Sequence, residues 1–122
     1  MIVILRSGTI NAPISRKENS IIERCVCSSG SPSITYYEVL NEKKSKNIPF
    51  SIVKCQLETG RTHQIRVHMS YIGHPLLGDD LYGGNTTLIN RQALHSYKIS
   101  FIHPIFKKEM CYQAPIPPDF HF

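Results

Sequence analysis

One stretch of this sequence, LETGRTHQIRVHMSYIGHPLLGDDLYGG, concentrates side chains that can do chemistry. At about 100° per residue, a helix through it places His63, Arg66 and Ser70 on one narrow ridge beside an apolar face. An arginine at the edge of a core needs a hydrogen-bonding partner or water. From its spacing alone, Arg66 is expected to be a surface arginine or to pair with Glu38 or Glu58. The other possibility is that Arg66 belongs to a functional site.

The six histidines raise a second possibility, a metal-dependent hydrolase. His63 and His68 are five positions apart, so on a helix they point about 140° away from each other. The helical zinc motif instead places two histidines four apart, with a glutamate beside the first. The four cysteines include no pair separated by two residues, which also disfavours a zinc or redox site. The sequence therefore predicts reduced thiols and argues against metal chemistry.

The elements that position these side chains begin with one well-marked helix. Ile65, Met69 and Ile72 recur at helical spacing, which predicts a buried face. Thr62 is suited to cap the first turn, because its hydroxyl can accept from an unpaired backbone N–H. Gly73 stands where helices often end in a left-handed residue, and the proline two positions later cannot continue the helix. We expect a helix from Thr62 to Gly73.

The rest of the chain has the alternation and turn residues of an antiparallel sheet. Residues 15–31 are polar and predict a long loop that holds at most one short strand, Ile21–Val26. Residues 41–49 contain three lysines and predict a solvated hairpin loop. The remaining predicted extended segments are Met1–Leu5, Thr9–Ile14, Ile34–Leu40, Phe50–Leu57, Gln92–Phe101 and Lys108–Ala114. The fold class is therefore α+β, with a mostly antiparallel sheet and one helix.

Composition limits the kinds of protein this can be. A chain of 122 residues supports one domain, and its formal net charge of +5 with a pI near 9.1 favours polyanionic partners such as nucleic acid. The apolar run Ile2–Leu5 is too short for a signal-peptide core or a membrane span. We expect a cytoplasmic protein without a membrane partner.

Residues 57–84 resemble the signature of the RluA-type pseudouridine synthases, which isomerise uridine in ribosomal and transfer RNA. Two further blocks, Arg91–His95 and Phe101–Pro104, follow in the order that the family shows. The resemblance runs from Gly8 to about Pro117, and three blocks in the right order make it highly specific. It implies the C-terminal half of a pseudouridine synthase catalytic domain, RNA as the partner, and neither metal nor cofactor.

The resemblance also implies roles for individual residues. Arg66 matches the arginine that pairs with the catalytic aspartate, since a nearby cation keeps a carboxylate ionised and oriented. The other matching positions are expected at the substrate or RNA-binding surface, and they are Arg61, Thr62, His63, Gln64 and Leu94. Arg61 is the expected phosphate contact. His63 and Gln64 either contact RNA or fix local geometry by hydrogen bonds, and Leu94 packs against the target base or belongs to the core.

One motif of the family has no match in these residues. The family carries a histidine-arginine-leucine-aspartate sequence whose aspartate is the nucleophile, and the 122 residues do not contain it. The aspartates present are Asp79, Asp80 and Asp119. Asp79 lies in a matching loop, where we expect it to satisfy backbone amides. Arg66 is accordingly predicted to face a concave basic surface without a carboxylate partner.

Residues 1–122 are therefore expected to form a partial catalytic domain that lacks the upstream half with the catalytic aspartate. Alone it should bind RNA weakly and isomerise nothing. The alternative is a non-catalytic RNA-binding remnant of a truncated or split synthase gene. A separate upstream half-domain chain is one expected partner. A homodimer is another, because a sheet without its neighbours exposes an edge, here predicted at Ile2–Leu5.

Overall fold

A computed structural model describes residues 6–102 and 104–120 of the chain, without the side chains of residues 99–102. The predicted strand Met1–Leu5 lies outside the described residues. The strands and the helix of the described part are β1 Ser7–Asn11, β2 Ile14–Arg16, β3 Arg24–Val26, β4 Ile34–Ser45, β5 Ile48–Leu57, α1 Gln64–Tyr71, β6 Lys98–Ile102 and β7 Glu109–Gln113. Two single-turn 3₁₀ helices span Asp80–Tyr82 and Pro118–Phe120. Every strand pairing is antiparallel, so the predicted α+β class is confirmed.

The main sheet has the strand order β1-β4-β5. The β4–β5 hairpin closes on Lys46 and Asn47, whose φ angles are 48° and 63°. Two consecutive left-handed residues form the tight turn whose twist matches that of paired strands. The solvated hairpin connection predicted over residues 41–49 is confirmed, but its loop is shorter than predicted. Two residues suffice for the turn, and the lysine-rich segment continues as an exposed two-stranded ribbon.

A second hairpin, β2–β3, lies inside the segment 15–31 that was predicted to be mostly loop. Ser15 pairs with Cys25, and Arg16 pairs with Arg24. The predicted strand Ile21–Val26 begins three residues later than expected, and Ile21 is 86% exposed at the end of the hairpin. The alternation signal was weak because this small hairpin is only partly buried and its strands are three residues long.

Helix α1 ends as predicted but begins later. Gly73 has a φ of 88°, its N–H donates to the Ser70 carbonyl, and the N–H of His74 donates to the Met69 carbonyl. This pair of bonds is the Schellman arrangement of a helix C-terminus. At the other end, His63 is the left-handed cap residue and no side chain caps the helix. The predicted capping role of Thr62 is wrong, because the turn before α1 is organised by Gln64 instead.

The core lies between α1 and the strands. Its fully buried members Ile10, Ala12 and Met69 pack together. Ile65 and Ile72 are half-buried and pack against this cluster, which agrees with the predicted helix face. No helix in the described part of the chain has the length and apolar character needed to span a membrane.

The C-terminal strands form a separate hairpin, β6–β7. The predicted strand over residues 92–101 begins only at Lys98. Before that point the N–H of Ala93 donates to the Leu77 carbonyl, and the N–H of Leu94 donates to the Gln92 carbonyl. The first bond ties the segment to the loop after α1, and the second closes a tight turn within it, so the backbone does not extend as a strand here.

Candidate functional site

The predicted ridge of α1 converges on a single residue, Tyr82. The Arg66 guanidinium lies 5.0 Å from the centroid of the Tyr82 ring. The Ser70 hydroxyl donates to the Tyr82 carbonyl at 2.9 Å, and His63 Nδ1 lies 2.7 Å from the Tyr82 hydroxyl. Residues 63, 66 and 70 are all half-buried. The spacing argument is confirmed, and the ridge faces the Gly- and Asp-rich loop.

Arg66 has a carboxylate partner, which contradicts the prediction. Its Nε donates to Oδ2 of Asp79 and its Nη2 donates to Oδ1, both at 2.9 Å. The side chain of Asp79 is 1% exposed and that of Arg66 is 14% exposed. The hydrogen bonds that Arg66 donates to Asp79 raise the pKa of Arg66, against the opposing effect of burial. Neither Glu38 nor Glu58 supplies the partner, and the Asp79 carboxylate binds a guanidinium rather than the loop amides it was expected to satisfy.

The Tyr82 hydroxyl joins the ridge to the β2–β3 hairpin. It accepts the backbone N–H of Arg24 at 2.9 Å, so its own proton is free to point at His63 Nδ1. This arrangement requires Nδ1 of His63 to be unprotonated. Burial, followed by the charges of Arg66 and Arg24, lowers the pKa of His63. The lowered pKa favours neutral His63, whose Nδ1 can accept the Tyr82 proton and hold Tyr82 in place.

Gln64 uses all of its hydrogen-bonding capacity within the fold. Its carbonyl oxygen accepts from the Thr59 hydroxyl at 2.8 Å and from the N–H of Arg61 at 2.9 Å. Its amide nitrogen donates to the Ile34 carbonyl at 2.9 Å and to the Thr35 hydroxyl at 3.0 Å. Of the two roles predicted for Gln64, these contacts support the local structural one, which fixes the start of α1 against β4.

A buried relay continues from Gln64 through Thr35 to His68. The Thr35 hydroxyl lies 2.7 Å from His68 Nδ1, and His68 Nε2 lies 2.8 Å from the Ala12 carbonyl. A carbonyl only accepts, so Nε2 carries the proton and Nδ1 accepts from Thr35. Burial lowers the pKa of the fully buried His68. The histidine acts as a neutral crosslink between α1 and the chain after β1.

Arg61 and Thr62 lie apart from this network, on an open groove of about 370 Å³. Both are exposed, and Nε of Arg61 donates to the Pro32 carbonyl at 3.0 Å. Arg16 and Arg24 of the β2–β3 hairpin line the same groove. Two of the predicted RNA-contacting residues, Arg61 and Thr62, thus line a groove that Arg66 does not line, beside two arginines that the sequence did not single out.

Leu94 is half-buried in the irregular segment before β6, and its N–H closes a tight turn to Gln92. Its role against a target base stays a prediction. The residues that sequence reasoning missed are Tyr82, Thr35 and Arg24. Tyr82 lies in the stretch that matches the family and could have been found there. No local sequence pattern indicates that Thr35 and Arg24 take part in these hydrogen bonds. Across the described residues, no group of three or more His, Cys, Asp or Glu side chains is placed to hold a metal ion.

The sequence and the fold match known proteins. The family model described as RNA pseudouridylate synthase matches residues 2–71, more than half of the chain. The chain therefore belongs to the RNA pseudouridylate synthase family.

Individual relatives agree with this membership. The uncharacterized RNA pseudouridine synthase YjbO of Bacillus subtilis is 54% identical over 112 residues, which cover 92% of this chain and 38% of that protein. The ribosomal large subunit pseudouridine synthase D of Vibrio parahaemolyticus is 38% identical over 126 residues, covering 92% of this chain and 38% of that protein. The solved structure of human RNA pseudouridylate synthase domain containing 1 superposes with a TM-score of 0.78 at 30% identity, over 96% of this chain and 52% of that chain. This chain thus spans a little over a third of the curated relatives named here.

Proposed function

We propose that this chain is the C-terminal part of the catalytic domain of an RNA pseudouridine synthase that isomerises uridine in ribosomal or transfer RNA. The observation that carries the proposal is the anchored guanidinium of Arg66, which stands in the family's motif on a helix fixed at both ends. Family membership and the fold of the human structure support the same activity.

The geometry of Arg66 is suited to hold a second carboxylate. A guanidinium has five N–H donors in a rigid fork, and Asp79 takes one from Nε and one from Nη2. The donors of Nη1 and the second donor of Nη2 remain along the opposite edge. A catalytic aspartate on that edge would stay ionised and oriented next to the cation. Asp79 is then a positioning residue, since it fixes the plane of the guanidinium.

The catalytic aspartate has to come from outside the sequence printed here. Asp79 is bound to Arg66, Asp119 is bound to Arg91, and Asp80 is exposed. We therefore propose that residues 1–122 form a partial domain, completed by an upstream half in the same polypeptide or in a separate chain. In the proposed reaction the aspartate carboxylate attacks C1′ of the target uridine and displaces the base as the C1′–N1 bond breaks. C5 of the reoriented base then attacks C1′ and displaces the aspartate, after which the C5 proton is lost and N1 is protonated.

A chimera tests this proposal. The matching 126-residue segment of the Vibrio parahaemolyticus enzyme would be replaced by this chain, and tritium release from uridine labelled at C5 would be measured on ribosomal RNA. We expect the chimera to release tritium and its Arg66→Ala variant to release none. Lys44→Gln, an exposed substitution on the β4–β5 ribbon, is the matched control and should retain activity.

Two results would contradict the proposal. One is a folded chimera without activity beside an active parent, which favours the alternative of a non-catalytic RNA-binding remnant. The other is full activity in the Arg66→Ala chimera, which would remove Arg66 from the site. Release by the 122-residue chain alone would show that a nucleophile among its own residues had been overlooked.

We also propose that the isolated chain forms a homodimer and that the protein is cytoplasmic. In the described part of the chain, β5 is an edge strand of the main sheet, and Ile52 and Leu57 on it are 40% and 44% exposed. Unpaired apolar edges favour association. Light scattering at increasing concentration should show a dimer, and a strict monomer would contradict the proposal.

A further inference from the structure

The groove beside the β2–β3 hairpin concentrates positive charge. Arg16 and Arg24 line it from the hairpin, and Arg61 lines it from the segment before α1. Ser15 and Thr62 add hydroxyl groups. The lining includes no acidic residue. Three cations therefore share one open space of about 370 Å³ without a carboxylate among its walls.

The arginines of the groove lack the ion pairs that satisfy other cations of the fold. Among the described residues the ion pairs join Lys17 to Glu23, Arg66 to Asp79, Arg91 to Asp119 and Arg6 to Glu42. Arg16 and Arg24 are direct cross-strand partners, and like charges in that position repel each other. Within the described structure, Nη1 of Arg24 is buried without a hydrogen-bond partner. An unsatisfied buried donor and a repulsive pair both raise the free energy of the protein unless an acceptor with negative charge lies beside them.

An anion would relieve both penalties at once. It would accept the orphan N–H groups of Arg24 and lie between the charges of Arg16 and Arg61. The bond from Arg61 Nε to the Pro32 carbonyl already fixes the plane of that guanidinium, which leaves its Nη groups for a ligand. Arginine forks match the oxygens of phosphate groups well. The groove opens to solvent, so a phosphate that belongs to a longer chain can reach it.

We propose that the Arg16–Arg24–Arg61 groove binds a backbone phosphodiester of the RNA substrate, outside the site around Arg66. The inference rests on the proposed function for the identity of the nucleic acid. It assigns to the β2–β3 hairpin the task of positioning the strand. Phosphate contacts of this kind fix the register of the RNA without reading its sequence.

The salt dependence of binding tests the groove directly. Affinity of the 122-residue chain for a short single-stranded oligouridylate would be measured by fluorescence anisotropy over a series of salt concentrations. Each phosphate contact contributes about 0.7 to the slope of log affinity against log salt for single strands. Arg16→Gln, Arg24→Gln and Arg61→Gln should each lower the slope by about that amount. Lys44→Gln removes the same charge from the distant ribbon and should leave the slope unchanged.

Equal slopes in the arginine variants and in Lys44→Gln would overturn the proposal. Circular dichroism establishes that each variant is folded, and Arg16→Gln and Arg61→Gln change exposed side chains, so the test does not depend on Arg24→Gln. A second arm replaces RNA with inorganic phosphate at constant ionic strength. Thermal stabilisation by inorganic phosphate that depends on the three arginines, without an effect of these variants on RNA binding, would reassign the groove to a small anion and overturn the RNA proposal.

These results are separable from the proposed activity. A lowered slope together with an inactive chimera would retain the phosphate site and reject the synthase. An active chimera with unchanged slopes would do the reverse.

Discussion

Arg66 differs from the three arginines of the groove in how its positive charge is balanced. Arg66 is held by two hydrogen bonds to the buried carboxylate of Asp79 and lies over the ring of Tyr82. Arg16, Arg24 and Arg61 share a groove lined by no acid. Arg66 is held in a fixed position and its charge is paired with a carboxylate. The three groove arginines have no carboxylate partner in the groove, and a backbone carbonyl holds the guanidinium of one of them, Arg61.

The difference indicates that Arg66 and the groove arginines have different functions. A cation that must orient a reacting carboxylate benefits from a rigid support, because misplacement of a reacting group lowers the rate steeply. Cations that hold a passing phosphate need to exchange it, so an internal carboxylate would compete with the ligand. Tyr82 connects Arg66 with the groove, since its ring lies under Arg66 and its hydroxyl accepts the backbone N–H of Arg24.

Removing the support of Arg66 should have the largest effect. Asp79→Ala leaves a guanidinium that is 14% exposed without its carboxylate, which we expect to lower the free energy of unfolding by about 3 kcal/mol. Urea denaturation measures the change. Asp80→Ala is the matched control, since Asp80 is exposed and its loss should cost less than about 0.5 kcal/mol. Equal effects of the two substitutions would show that the Asp79 ion pair does not hold the loop to α1.

Cutting the link between Arg66 and the groove should have an intermediate effect. Tyr82→Phe keeps the ring under Arg66 but removes the acceptor of the Arg24 N–H and the partner of His63. An unsatisfied, partly buried donor costs about 1–2 kcal/mol. Tyr71→Phe, at a tyrosine that is 61% exposed, is the control and should be nearly neutral. If both variants unfold at the same urea concentration, the hydroxyl of Tyr82 does not contribute to the stability of the fold.

Acidification should weaken the framework that Arg66 and the groove share. Burial lowers the pKa of His63 and of His68, so in each case the unfolded chain binds a proton more readily than the folded one. Stability is then fully present above the ordinary histidine pKa and falls as the pH drops below about 6.5, by at most about 1.4 kcal/mol per pH unit for each group. Urea denaturation at pH 7.5 and 5.5 measures this loss. NMR titration of the histidine ring protons identifies the group, and a His68 signal that titrates near its ordinary pKa would contradict the prediction.

Part of this arrangement could be predicted from the sequence. The ridge of residues 63, 66 and 70, the left-handed Gly73 and the buried Met69 follow from helical geometry alone, because each depends on spacing within one element. The position of the arginine in the family motif was also visible. Sequence reasoning succeeded where the relevant interactions are local.

The remainder depends on contacts between distant segments. Asp79 meets Arg66 only because the loop after Gly73 folds back over α1, and Arg24 meets Tyr82 across a separation of 58 residues. The N-terminal end of α1 was misplaced because Gln64 bonds simultaneously to residues 34, 35, 59 and 61, and such a hub overrides the capping preference of Thr62. The spacing of residues along the sequence does not indicate any of these tertiary contacts.

The smallest expected effect has the opposite sign and belongs to the groove. Arg16→Gln removes one member of a like-charged cross-strand pair, so it should stabilise the chain slightly, by about 0.2–0.5 kcal/mol at low salt. Arg91→Gln is the matched control, since it breaks an exposed ion pair with Asp119 and should destabilise by a similar amount. Thermal unfolding at low and high ionic strength distinguishes the two, and both effects should shrink as salt screens the charges. If Arg16→Gln destabilises the chain as Arg91→Gln does, Arg16 already has a stabilising partner within the fold. Arg16 would then not differ from Arg66 in how its charge is balanced.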